Sequence, residues 1–127
     1  MLGAMEADFA EWVPLFAQAM VGPDHPAAVA KYAEQLATMS PGTALRVLRA
    51  VLTCYLRGVL PDVKAPCAIV HCGQDSVAPL AVARYMQRAC AGVRGAETVV
   101  IESSGHFPQL DAPKEFIQVL EAILIDR

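Results

Sequence analysis

An acidic residue and a histidine each follow a short apolar run of this sequence, and the two could act together in proton transfer. Asp75 lies in HCGQDSVAP, and His106 follows 31 residues later in VVIESSGHFPQLDAP. A carboxylate that accepts a hydrogen bond from one imidazole nitrogen fixes the tautomer, so that the other nitrogen can take a proton from a nucleophile. Gly105 lets the loop before the histidine turn sharply, and Pro108 stiffens its exit. The pattern predicts the acid and the base of a catalytic triad.

Each of these two residues also has a simpler interpretation. Asp75 alone would suit a solvated turn, and His106 alone would suit a loop histidine with a structural hydrogen bond. Sites in open α/β sheets form beyond the carboxyl ends of the strands, which is where both residues are predicted to lie. Two further features support a catalytic pair: the acid precedes the histidine along the chain, and a helix is predicted to start at Pro79, four residues after the acid. The combination favours the catalytic interpretation.

No residue of the sequence fits the third position of such a triad. A nucleophilic serine on a strand-to-helix elbow needs glycine two residues before it and two residues after it. None of the serines has both glycines: Ser40, Ser76, Ser103 and Ser104. Cys90 has Arg88 at the first of these positions. We therefore expect that the chain is a fragment, that the nucleophile lies outside it, and that the chain alone has no esterase activity.

The other two histidines are weaker candidates for chemistry. His71 lies inside an apolar run that predicts a buried strand, so we interpret it as a core histidine with satisfied hydrogen bonds. His25 lies between Asp24 and Pro26 in a predicted loop, and we expect it to be solvated.

The composition excludes several classes of function. The net charge is −3, with 55% hydrophobic and 18% charged residues, which leaves no basic patch for nucleic acid. We find no apolar run that predicts a membrane span and no signal peptide at the start, so we expect an intracellular protein. The cysteines form no C-x-x-C pair and no glycine-rich phosphate loop is present, so we expect neither metal nor cofactor.

Residues 1–60 predict helices and no strand. Phe9, Trp12 and Phe16 lie on one apolar stripe of a helix that ends near Gly22. A second helix follows Pro26, and a third begins after Ser40, a residue type that caps helix starts. The apolar face of this third helix is predicted to run from Leu45 to Tyr55. Three short amphipathic helices bury little by themselves, so they need a platform to pack against.

Residues 61–127 predict two strands that alternate with two helices. The runs 67–72 and 98–101 suit buried strands, and helices are predicted from Pro79 and from Asp111. The helix residues expected to face inward include Val82, Met86, Leu120 and Leu124. This alternation predicts an α/β fold with two parallel strands. Parallel sheets occur as larger units that are covered on both faces, so we expect the rest of the sheet to lie outside the chain.

Two sets of segments resemble a known family. DVKAPCAIV, GQDSVAP and ESSGHFPQLDAPKEF resemble the carboxyl-terminal end of α/β-hydrolases. MEADFAEWVPLFA, PAAVAKYAEQLATMSP and LRGVLPDVKAPC resemble the helical lid of plant strigolactone and karrikin receptors, the DWARF/karrikin-insensitive type of α/β-hydrolase. The resemblance covers essentially all 127 residues. It implies the C-terminal portion of the α/β-hydrolase fold, with a lid at residues 1–60 and the last two parallel strands and their helices at residues 61–127.

The resemblance also implies a function. In that family a lid of four helices covers an apolar pocket above the serine, and the protein slowly hydrolyses a butenolide. Its change of shape recruits an F-box protein and transcriptional repressors, which implies a cytoplasmic and nuclear location. Carried over to this sequence, the triad acid is Asp75 and the triad base is His106. The ligand-binding positions are Trp12, Phe16, Leu48 and Leu52.

Three points leave alternatives open. Trp12 and Phe16 also suit ordinary packing between helices. Leu52 stands where family members often have a small or aromatic residue, which suggests a divergent, receptor-like member and leaves its ligand open. The chain could also be a non-catalytic interaction protein that retains the lid surface, or part of another α/β-hydrolase esterase with a helical cap.

Overall fold

The computed structural model describes residues 1–90 and 98–125. In chain order its elements are α1 (Leu2–Ala7), α2 (Phe9–Val21), α3 (Pro26–Ala37), α4 (Pro41–Thr53), a 3-10 helix (Arg57–Asp62), β1 (Val70–Cys72), α5 (Leu80–Ala89), β2 (Val99–Ile101), α6 (Pro108–Asp111) and α7 (Pro113–Ile125). The predicted boundary at residue 60 falls inside the 3-10 helix. The connection from α5 to β2 and the last two residues of the predicted second unit lie outside the described residues.

The first part of the chain forms four helices where the sequence predicted three. Asp8 has an extended backbone, with φ −150° and ψ 102°, and it separates α1 from α2. Its side chain accepts a hydrogen bond from the amide of Glu11 at 2.9 Å and so caps the start of α2. The break gives α1 its own direction, which allows Met5 to pack into the core formed with α2 and α4.

The start of α4 agrees with the sequence, but its end does not. Ser40 accepts a hydrogen bond from the amide of Thr43 at 3.3 Å, which is the predicted cap. The backbone becomes extended at Cys54, with φ −68° and ψ 136°, so the helix ends at Thr53. Tyr55, which the sequence placed on the apolar face of this helix, therefore lies beyond it and is exposed.

The helical part has its own apolar core. Trp12 and Val13 from α2 pack with Met5 from α1 and Ala44 from α4, and all four are buried. Half-buried side chains surround this core: Phe9, Phe16, Ala33, Leu36, Met39, Leu45 and Leu48. Residues from four helices thus converge on one cluster, which is how these short helices stabilise one another.

The two strands are parallel, as predicted, but shorter than the apolar runs suggested. Val70 pairs with Val99 and Cys72 with Ile101. The amide of Val99 also donates to the carbonyl of Ile69 at 2.9 Å, so pairing starts there and the predicted strand at residues 67–72 loses its first half. A strand needs a partner along its length, and β2 offers only three residues.

Four helix residues predicted to face inward are exposed instead. These are Val82 and Met86 on α5, and Leu120 and Leu124 on α7. Within residues 1–90 and 98–125 the sheet has only two strands, so it covers only part of each helix. These predictions were wrong for the chain as it stands, because the face that would bury the side chains is not formed by the described residues. None of the described helices is long and apolar enough to cross a bilayer.

Candidate active site

Asp75 and His106 meet beyond the carboxyl ends of β1 and β2. Backbone pairing continues past the strands, from the amide of Gly73 to Ile101 at 2.8 Å and from that of Gln74 to Ser103 at 3.0 Å. This pairing holds the two following loops side by side. The Nδ1 atom of His106 then lies 2.7 Å from Oδ2 of Asp75. The structure therefore brings together the two residues that the sequence proposed as acid and base.

The Asp75 carboxylate is fully engaged by hydrogen bonds. Its Oδ1 accepts from the amides of Val77 at 2.7 Å and Ala78 at 3.0 Å, while Oδ2 faces His106. Burial by itself would raise the pKa of Asp75. The hydrogen bonds from His106, Ala78 and Val77 and the charge of a protonated His106 outweigh burial and lower this pKa below its ordinary value. Asp75 is therefore held as a carboxylate, the form that can stabilise an imidazolium.

We expect Asp75 to stabilise the folded chain at neutral pH and to lose this contribution in acid. Because the pKa of its carboxyl is lower in the folded than in the unfolded chain, its contribution is present above the unfolded pKa of about 3.9. That contribution is lost as the pH falls through the folded pKa. Urea unfolding followed by the fluorescence of Trp12 should show Asp75→Asn less stable at pH 7, with a smaller loss of stability on acidification. Equal acid dependence in both chains would contradict this role.

His106 is held by the helical part of the chain as well as by Asp75. Its amide donates to the carbonyl of Met20 at 2.7 Å, at the end of α2. A Cβ at Gly105 would lie 2.1 Å from the carbonyl oxygen of Val21, so only glycine permits this close approach. Gly22, which ends α2, has a φ of +97°, a left-handed conformation that favours glycine. The end of α2 and the histidine loop thus fit together through two glycines.

An open apolar groove adjoins the pair. It has a volume of about 320 Å³ and runs along β1 and α5, with Ile69, Val82 and Met86 in its walls and Asp75 and His106 among its lining residues. Within the described part of the chain, β1 pairs only with β2. The groove therefore follows the edge of β1 that the described residues leave uncovered, and the catalytic candidates stand beside it.

The other histidines differ in how well they match the sequence predictions. His71 is buried, and its ring nitrogens lie 2.6 Å from the carbonyl of Cys72 and 2.9 Å from that of Ala78, as expected for a core histidine. His25 was predicted to be solvated. Its side chain is 49% exposed, but its Nε2 lies 3.3 Å from Oδ1 of Asp111, so that prediction was wrong in part. The loop between α2 and α3 places it against this buried carboxylate.

Three of the four predicted ligand-binding residues line one apolar cavity in the helical part. Trp12, Phe16 and Leu48 bound a space of about 240 Å³ together with Tyr32 and other apolar side chains. The rings of Trp12 and Phe16 stack at 4.4 Å between centroids. Leu52 is not among the lining residues and is exposed on α4. The structure thus separates Leu52 from the other three.

Two side chains near the pair bear on the chemistry. Burial raises the pKa of the Cys72 thiol, a hydrogen bond with Ser103 opposes this, and the charges of Asp75 and Asp111 add to the rise. Cys72 therefore stays a thiol, a poor nucleophile. Asp111 accepts hydrogen bonds from the residues before His106. From the sequence, Asp111 was predicted only as the start of a helix, and its position five residues after the histidine was the only sign of a role near the pair.

No metal site is evident in residues 1–90 and 98–125. In that part of the chain no three side chains of the histidine, cysteine, aspartate or glutamate type come together in a way that could hold an ion.

The chain is similar to known proteins in sequence and in fold. Residues 2–119 match the profile of the Alpha/beta hydrolase family. The chain is 39% identical over 121 residues to Strigolactone esterase D14 of Arabidopsis thaliana, which covers 95% of this chain and 45% of that protein. It is 36% identical over 118 residues to Karrikin insensitive 2 receptor IA of Petunia hybrida, covering 92% of this chain and 42% of that protein. The chain thus spans less than half the length of these curated relatives.

A solved structure gives the same result for the fold. A hydrolase from Oleispira antarctica superposes with a TM-score of 0.84 at 20% sequence identity, over 99% of this chain and 45% of that chain. At this identity the likeness concerns the fold alone. Together the matches confirm the fold class and the resemblance that were stated from the sequence.

Proposed function

Because the chain belongs to the alpha/beta hydrolase family, we propose that Asp75 and His106 are the acid and the base of a serine hydrolase that also acts as a butenolide receptor. The observation that carries this proposal is the 2.7 Å contact between Nδ1 of His106 and Oδ2 of Asp75. The names of the relatives, strigolactone esterase and karrikin insensitive receptor, support the substrate class.

The contact supports a separate proposed role for each side chain. With Nδ1–H donating to Asp75, Nε2 of His106 is left to accept the proton of a serine hydroxyl as the serine oxygen attacks the ester carbonyl carbon. The carboxylate stabilises the imidazolium formed in this step. The imidazolium then returns the proton to the leaving oxygen, and a water molecule attacks the acyl group by the same route. Neither step changes the protonation of Asp75.

The nucleophile of this proposal comes from sequence outside the 127 residues. The groove beside β1 supports this idea, since it exposes apolar side chains of α5 next to Asp75 and His106. A further parallel strand would cover this groove and pair with β1. In the chain order Ser…Asp…His, the serine belongs to the part of the sheet that precedes these strands.

The helical part supplies the ligand pocket in this proposal. The cavity bounded by Trp12, Phe16 and Leu48 is apolar, which suits a small butenolide. We propose the division into a lid, residues 1–60, and a core part, residues 61–127, together with a cytoplasmic and nuclear location. An F-box protein and a transcriptional repressor are the proposed partners of the lid. Three of the relatives are named as receptors, which supports a signalling role.

The proposal can be tested by restoring the remainder of the fold. The part of the Arabidopsis strigolactone esterase that this chain does not match would be co-expressed with the chain or joined to it. We expect the assembly to hydrolyse a synthetic strigolactone, and the chain alone to hydrolyse neither this compound nor an activated phenyl ester. The control is the same assembly with its serine replaced by alanine.

Each other outcome points to a different function. Hydrolysis of the phenyl ester without hydrolysis of the butenolide would indicate another kind of esterase. Binding of an F-box partner by the chain alone, without activity of the assembly, would indicate an interaction protein. Turnover by the chain alone that is lost in His106→Ala would show that a nucleophile is present within these residues.

A further inference from the structure

A buried carboxylate outside the Asp75–His106 pair holds the loop that leads to His106. Asp111 ends α6 and is only 5% exposed. Its Oδ2 accepts hydrogen bonds from the hydroxyl of Ser103, from the amide of Ser104 at 2.9 Å and from the amide of Gly105 at 3.2 Å. One oxygen thus accepts from three donors, one from each of the three residues that directly precede His106.

These bonds determine where the backbone of His106 can lie. The amide of Gly105 belongs to the peptide between Ser104 and Gly105. The hydrogen bond from this amide to Asp111 fixes the orientation of that peptide, one residue before His106. Hydrogen bonds to an ionised acceptor are stronger than those between neutral groups. On the other side, the amide of His106 donates to Met20 at 2.7 Å. Because the backbone is held on both sides, the loop has few alternative conformations, and the imidazole stays within hydrogen-bond distance of Asp75.

The second oxygen of Asp111 faces the lid. Oδ1 is buried and accepts no hydrogen bond from the described residues, and it lies at ion-pair distance, 3.3 Å, from Nε2 of His25. The neighbouring Asp24 accepts a hydrogen bond from the hydroxyl of Ser104 at 2.9 Å. The loop between α2 and α3 therefore contacts the same three-residue segment that Asp111 holds.

We propose that Asp111 is a positioning residue for His106. Its carboxylate clamps residues 103–105 so that the Nδ1–H of His106 points at Asp75, and its contact with His25 ties the lid loop to this clamp. Asp111 acts through the loop, since it touches neither reacting atoms nor the imidazole of His106. This inference rests on the proposed role of His106 as the base and specifies what keeps that base in place.

The test reads the tautomer of His106 directly. In the 127-residue chain with ¹⁵N-labelled histidines, NMR should show His106 as the Nδ1–H tautomer. Asp111→Asn keeps the size of the side chain but removes its charge, and should lose that preference. In the assembly with the relative's remainder, we expect kcat to fall by on the order of 10²-fold, as for a catalytic group misplaced by about 1 Å, with KM unchanged.

Two further variants separate positioning from folding. Asp24→Ala removes the bond to the Ser104 hydroxyl but leaves both amides on Asp111, so His106 should keep its tautomer. Ser103→Ala removes one of the three donors to Asp111 and decides the question if Asp111→Asn does not fold; it should weaken the Nδ1–H preference. Strand resonances of Val99 and Ile101 report whether the sheet is intact.

An intact sheet with an unchanged His106 tautomer in Asp111→Asn would overturn the proposal, as would an unchanged tautomer in Ser103→Ala when Asp111→Asn is unfolded. A changed tautomer in an assembly that hydrolyses nothing would leave the positioning role standing and would count against the proposed hydrolase function instead.

Discussion

In the assembled protein, His106→Ala is expected to lower the rate of butenolide hydrolysis by on the order of 10⁴-fold, because the substitution removes the group proposed to take the proton of the serine. Asp75→Asn should have an effect of similar size, up to about 10⁴-fold. Asparagine keeps the shape of the side chain but donates where Asp75 accepts, so the imidazole is held in the wrong tautomer. Single-turnover rates of the three proteins measure both effects.

The double variant distinguishes a triad from two independent contributions. Because triad members act as a unit, Asp75→Asn combined with His106→Ala should be scarcely slower than either single variant. Asp62→Asn, at an exposed aspartate of the 3-10 helix, is the matched control and should hydrolyse the ligand normally. If Asp75→Asn is as fast as the unmodified protein, Asp75 only shapes its turn.

Trp12→Ala should cost about 3–5 kcal/mol of unfolding free energy, as expected for a large aromatic side chain removed from a core. Trp12 is 7% exposed, and its ring stacks on Phe16 at 4.4 Å and on Phe9 at 6.0 Å between centroids. The loss is a large part of the about 5–15 kcal/mol that stabilises a typical domain. Urea unfolding followed by circular dichroism measures it.

Substitutions at Trp12 also separate its two interpretations, as a residue of the helix core and as a residue that binds the ligand. Trp12→Phe keeps an aromatic ring in the core and should recover most of the stability. If Trp12→Ala leaves the unfolding free energy unchanged and only weakens ligand binding, Trp12 serves the cavity and not the core. Phe16→Ala is the companion variant, because Phe16 is less buried and lines the same cavity.

The pairing of Asp75 with His106 could be predicted because it depends on a regular element. Residues that follow neighbouring parallel strands lie at the same edge of the sheet, whatever the rest of the fold does. His71 could be assigned to the core for a similar reason, since it lies within an apolar strand. The contact of His25 with Asp111 could not be predicted, because it joins two irregular loops whose paths no periodicity describes.

The helices of residues 1–60 show the same difference between local and long-range contacts. The cap at Ser40 was predicted because it involves only neighbouring residues. The break at Asp8 was missed, since an aspartate between two apolar segments also suits a continuous helix. Leu52 follows Leu48 by one helical turn, yet only Leu48 lines the cavity. Helical spacing gives the face of a helix but not how far along the helix its neighbours extend.

The sequence by itself determined the order of the main helices and of the two parallel strands, because capping residues and hydrophobic periodicity act over a few positions. It also predicted that Asp75 and His106 lie together, because each follows one of two neighbouring strands. The tertiary structure alone decided how that pair is supported. The fit of Gly22 against Gly105 and the clamp of Asp111 on the histidine loop arise where distant parts of the chain come within hydrogen-bond distance. Burial of Asp111 makes these contacts strong, and burial depends on everything that packs around it.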